Sequence, residues 1–118
     1  MHVKISTGSA KAFYLDKEKL LRELRRLSEE LTQSYSFVKE VHLFGSLVRG
    51  DHRGISDADI VVVVSEDLNR KNFWKIYRQT FDFFADRLPV NFDLIVVDTE
   101  RKEQVLEKLK PALLLGRG

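Results

Sequence analysis

Three aspartates and a Gly-Ser pair stand out by where they fall. Asp57 and Asp59 flank Ala58 at the head of an apolar run, Ile60-Val61-Val62-Val63-Val64. Two residues apart on a strand, their side chains point to the same face. Paired carboxylates there repel each other and lose hydration. A divalent cation relieves both penalties, and magnesium commonly takes one or two carboxylates together with substrate phosphates. Asp93 repeats the theme between Phe92 and Leu94. If its strand lies beside the first, three carboxylates can hold two metals about 3.5–4 Å apart, the spacing that stabilises attacking and leaving oxygens in an in-line displacement. Asp93 can equally serve as general base on an acceptor hydroxyl.

Gly45-Ser46 falls where one predicted strand ends and a short helix begins. Glycine lets a backbone approach a phosphate closely. A helix N-terminus adds free N–H groups and a favourable dipole, and Ser46 adds a hydroxyl. Arg49, one turn on, can point back towards a phosphate. Arg53 and His52 read as solvated turn residues.

These residues need elements to hold them. Leu20, Leu24, Leu27 and Leu31 recur at helical spacing after Asp16, a candidate N-cap. Glu23 with Arg26, and Arg25 with Glu29, suit the solvated face of that helix. Val38 to Phe44 reads as a strand with His42 as a structural residue, and 46–50 as a short helix. The β-branched run of 57–64 suits a central strand covered on both sides. A helix capped by Asn69 runs to about Arg87, with Phe73, Tyr77, Phe81 and Phe84 along a core face and Trp74 available to a subunit interface. The third strand is 91–97, and a last helix, capped by Asp98 or Thr99, ends before Pro111. Residues 1–14 look like a loop or flexible arm, and Leu113-Leu114-Leu115 is free to pack on the domain or on a partner.

The first two strands are joined too tightly for a long crossover helix. The expectation is therefore an α/β (α+β) fold, a small mixed β-sheet with helices packed on it, and not a doubly wound Rossmann fold. All 118 residues read as a single domain. With no cysteine, zinc-thiolate sites, disulfides and cysteine nucleophiles are excluded. A net charge of +2 gives no independent argument for nucleic acid, but permits an anionic ligand. No apolar run suits a membrane span or signal peptide, so a cytoplasmic location is expected. The basic residues of the first helix are interleaved with glutamates and read as a solvated face rather than an RNA site.

Phe44-Gly45-Ser46-Leu47-Val48-Arg49-Gly50, followed by Ser56-Asp57-Ala58-Asp59-Ile60, resembles the signature of the DNA polymerase beta nucleotidyltransferase superfamily. Within it the chain is similar to the minimal nucleotidyltransferases, from about Asp16 to Leu109. Val48 stands where alanine is common in that family, and Ile60 where leucine is. Neither change removes a ligand. The resemblance implies a polymerase beta-like fold and Mg2+-dependent transfer of a nucleoside monophosphate, with ATP the expected donor, to a hydroxyl acceptor. Gly45, Ser46 and Arg49 would hold the triphosphate. Asp57, Asp59 and Asp93 would be the catalytic, metal-binding carboxylates. Minimal nucleotidyltransferases are also similar to one half of a toxin–antitoxin pair whose other half is a helical HEPN protein. The chain leaves no room after Asp93 for an acceptor domain, so a second chain or a second copy is expected to grip the acceptor, and the resemblance implies a partner of HEPN type. A homo-oligomer is left open. The rival reading is a non-catalytic antitoxin that neutralises its partner by covering it.

Overall fold

The computed structural model describes residues 2–3, 17–45, 48 and 58–118. Among them the elements run β1 (His2–Val3), α1 (Lys17–Ser34), β2 (Val38–Phe44), β3 (Ala58–Val64), α2 (Phe73–Ala85), β4 (Phe92–Asp98), α3 (Lys102–Lys108) and β5 (Leu113–Arg117). The strands form one mixed sheet in the order β1-β4-β3-β2-β5. β3 and β4 are parallel, as two strands joined through a helix can be. The other pairings are antiparallel. None of the described helices is long and apolar enough to cross a membrane.

β3 lies at the centre, and Ile60 to Val64 are fully buried. Alternate residues serve two different cores. Ile60, Val62 and Val64 join Leu94 and Val96 beneath α1 and α2. Val61 and Val63 join Val97 on the opposite face, where Val105, Leu106 and Leu109 of the α3 region cover them. An uninterrupted β-branched run is what a strand covered on both faces requires. The leucine stripe of α1 faces the larger core, with Leu20, Leu24, Leu27 and Leu31 all buried. Each such side chain contributes about 1.5–3 kcal/mol by leaving water.

Local chemistry sets the helix boundaries. The Asn69 side chain accepts hydrogen bonds from the N–H groups of Lys71 and Asn72, and Asn72 Oδ1 accepts one from Asn69 N–H. This reciprocal cap closes the turn that leads into α2. Asp98 does the same before α3, accepting from the Arg101 backbone N–H at 3.0 Å and its guanidinium at 2.9 Å. The expected cap at Asp16 lies outside the described residues, as do all of 1–14 except the backbone pairing of His2 and Val3.

The question of the leucine tail is resolved by pairing. It forms edge strand β5 on β2, with Leu115 buried. A Cβ on Gly116 would lie 3.0 Å from Ser28 Cβ, so the missing side chain lets α1 close over the strand. Arg25 donates to the Leu114 carbonyl at 3.4 Å. Arg26 pairs with Glu23, as its spacing suggested, and also with Glu30.

One ion network is buried beside the smaller core. Glu40 Oε1 lies 2.8 Å from His42 Nε2, and Glu40 Oε2 lies 2.7 Å from Lys102 Nζ. It ties β2 to α3, and His42 is structural here, as expected. Burial opposes the charge on Glu40, but hydrogen bonds from Lys102 and His42 prevail and hold its carboxyl below the usual range. A carboxyl with a lowered folded pKa stabilises the fold at pH above its ordinary value, about 4.3, and that contribution is lost as pH falls through the lower folded value. Glu40→Gln should therefore cost about 1.5–3 kcal/mol at pH 7. In urea titrations its deficit relative to wild type should shrink as pH falls below the ordinary carboxylate range.

Candidate active site

Asp59 and Asp93 are each the second residue of their strands, and the parallel register makes them direct partners. Adjacent strands lie about 4.7–4.9 Å apart, so the two side chains start side by side on one face. Both are half-buried. The Ala58 N–H donates to the Asn91 carbonyl at 2.9 Å, fixing the heads of β3 and β4 together. On the outer edge of β4 the backbone of His2 pairs with Asp93. On the other side Phe44 pairs with Asp59 at the end of β2. The third strand therefore does lie beside the second, which was the condition for Asp93 to join the site.

Gly45 follows directly. Its φ is 84°, a conformation that side chains rarely adopt. A Cβ at this position would lie 2.1 Å from Asp59 Oδ2. Two constraints thus coincide, since the turn needs left-handed backbone and the Asp59 carboxylate occupies the space above Cα. The Gly45 carbonyl accepts a hydrogen bond from Val48 N–H at 3.1 Å, and Val48 is helical. Of the short helix expected over 46–50, only Val48 is among the described residues.

Ser46, Arg49 and Asp57 lie outside the described residues, as do His52 and Arg53. Among the described residues no group of three or more His, Asp or Glu side chains is gathered for a metal. Asp59 and Asp93 still fit a hard divalent cation, because both offer carboxylate oxygens from neighbouring positions on one face. Burial pushes the Tyr77 phenol above its ordinary pKa, and the charge of Asp93 adds to that shift. The field of Asp93 therefore reaches α2. The sequence reading missed Asn91, whose part is played by its backbone carbonyl and leaves no trace in residue type.

A model of the nucleotidyltransferase domain matches residues 24–113, which is most of the chain. The chain belongs to the nucleotidyltransferase domain family. A Methanocaldococcus jannaschii protein provisionally named a protein adenylyltransferase is 33% identical over 72 residues, spanning 61% of this chain and 78% of that protein. A crystal structure of a provisionally assigned nucleotidyltransferase from Sulfolobus solfataricus is similar at a TM-score of 0.64 and 26% identity, covering 95% of this chain and 93% of that one. A fainter likeness, at a TM-score of 0.49 and 19% identity, is to a chain of the Shewanella oneidensis complex of tri-AMPylated HEPN toxin with MNT antitoxin; it covers 87% of this chain and 74% of that one.

For this nucleotidyltransferase the Gly45 geometry makes a sharp prediction. Gly45→Ala adds a left-handed backbone penalty of about 1–2 kcal/mol. It also forces the Asp59 carboxylate to move. Thermal unfolding should show a modest loss of stability, whereas nucleotidyl transfer should fall by more than the roughly tenfold that 1.4 kcal/mol represents. A variant that unfolds earlier but transfers at the wild-type rate would contradict the packing of Asp59 against Gly45.

Proposed function

We propose that this nucleotidyltransferase moves AMP from magnesium-bound ATP to a hydroxyl group on a partner protein. The observation that carries the reading is the in-register pairing of Asp59 with Asp93 beside Gly45. The protein-adenylyltransferase name of the M. jannaschii relative supports the donor and the acceptor class.

In this reading Gly45 and Ser46 receive the triphosphate through the backbone at the strand-to-helix turn, and Arg49 neutralises its charge. Asp57 and Asp59 would hold the metal, with Asp93 as the third carboxylate of the set. Magnesium, when bound, supplies positive charge to the phosphate oxygens on which negative charge builds. Asp93 takes the proton from the acceptor hydroxyl. The hydroxyl oxygen bonds to the α-phosphorus as the bond to the bridging oxygen breaks, and pyrophosphate leaves. Orientation of the two oxygens on either side of phosphorus is the protein's main task.

The partner in this proposal is a helical protein of HEPN type, and the pair works as antitoxin and toxin in the cytoplasm. The support is the resemblance of the signature around Gly45 and Asp57 to minimal nucleotidyltransferases.

The test is incubation with radiolabelled ATP and magnesium, with and without a candidate helical partner. Wild type should label the partner. Asp93→Asn should reduce labelling by about 10²–10⁴-fold, the range for loss of a positioned acid–base group, and Asp59→Asn, which removes a metal-holding carboxylate, should also reduce it. No labelling by wild type, with the partner bound equally well by both variants, would instead mean neutralisation by binding alone.

A further inference from the structure

The opposite ends of β3 and β4 carry a second feature that the transfer reaction does not use. Asp98 is five residues beyond Asp93 on β4. That is about 17 Å at the rise of a strand. There a cavity of about 700 Å³ opens between the start of α2 and the end of β4. Leu68, Phe73, Trp74, Val96 and Val97 line it. Asp98 is buried at its margin and held by Arg101 at 2.9 Å.

Trp74 is 65% exposed, although the rest of the aromatic face of α2 is turned inward. Its indole nevertheless touches two neighbouring rings. It meets the Phe73 ring edge-on at 5.2 Å and the Tyr77 ring at 5.8 Å. A large exposed aromatic side chain at the wall of a mostly apolar hollow bigger than itself, with Arg70, Asp98 and Arg101 also lining it, is a projection and a recess on one patch. The exposed residues flanking that patch carry both signs. Arg70, Lys71 and Lys75 surround Trp74 in sequence, whereas Glu66, Asp67 and Glu100 flank Leu68 and Arg101. A patch of one sign would call for a partner of the opposite sign. A patch with projection, recess and both charges can complement itself.

We propose that this face pairs two copies of the chain about a two-fold axis, with Trp74 of each copy seated in the cavity of the other. A two-fold interface uses the same surface twice, so it requires self-complementarity of both shape and charge. Tryptophan at the centre of such a contact is a common source of its affinity. The carboxylates lie at the other ends of the same strands, so pairing leaves them uncovered. The inference does not depend on the reaction proposed above.

Trp74 is the chain's sole tryptophan, which makes it a built-in reporter. Sedimentation velocity of wild type should give twice the chain mass of 13.7 kDa at high micromolar concentration. On dilution the fluorescence should shift to longer wavelength as the indole returns to water. Trp74→Glu should weaken association by at least about 30-fold, the effect of losing a central anchor of 2 kcal/mol. Its circular dichroism should match wild type, as should its thermal unfolding at concentrations where wild type is monomeric, because the side chain is largely exposed. A wild type that stays monomeric with constant emission into the millimolar range would overturn the proposal. So would a dimer that survives in Trp74→Glu.

Discussion

Everything about the site depends on the parallel register of β3 on β4. Parallel strands pair residues at the same height, so one choice of register fixes Asp59 against Asp93 and Val61 against Ile95 together. A slip of one residue would turn the aspartates to opposite faces and exchange the β3 side chains between the two cores, each packed for a different set. The register is therefore held by far more than the carboxylates. Ile60 through Val64 are buried on both sides, and every one of them would be misplaced by the slip. Like charges side by side are unfavourable in a sheet. Hydrophobic burial along the strand is what lets two aspartates share one face at its head.

Gly45 shows the same logic at smaller scale. The antiparallel pairing of Phe44 with Asp59 brings the end of β2 alongside the carboxylate, so the next residue has no room for a side chain. The backbone at Gly45 also has positive φ, which favours glycine at that point. A glycine expected to serve a phosphate thus has an independent structural reason to be glycine. The two roles are compatible, because both follow from close approach of backbone to charged groups.

Much of this was legible in residue order. The unbroken β-branched run of β3 announced a strand covered on both faces, and the α1 leucines fell at helical spacing. Asn69 was recognisable as a cap because a side-chain acceptor precedes an amphipathic stretch, although the regular helix starts a turn later at Phe73. Other parts were not legible, for physical reasons. Pairing of His2 and Val3 with β4 is set by distant backbone groups, and two residues carry no period. β5 is likewise defined by the strand it meets rather than by its own three leucines. Glu40 and His42 alternate on one face of β2, which was a signal available in the sequence. Their partner Lys102 lies 62 residues from Glu40, beyond the reach of any local pattern. The adjacency of Asp59 and Asp93 could be stated from sequence only as a condition, and topology met it.

In the proposed mechanism the paired Asp59 and Asp93 belong to one metal-binding set of carboxylates. The direct measurement is binding of manganese, as a spectroscopic stand-in for magnesium, by electron paramagnetic resonance with a non-hydrolysable ATP analogue present. Asp59→Asn and Asp93→Asn should each weaken manganese binding markedly while the fold is retained. Wild-type manganese affinity in both variants would contradict that mechanism, and the paired carboxylates would then be a feature of the sheet alone.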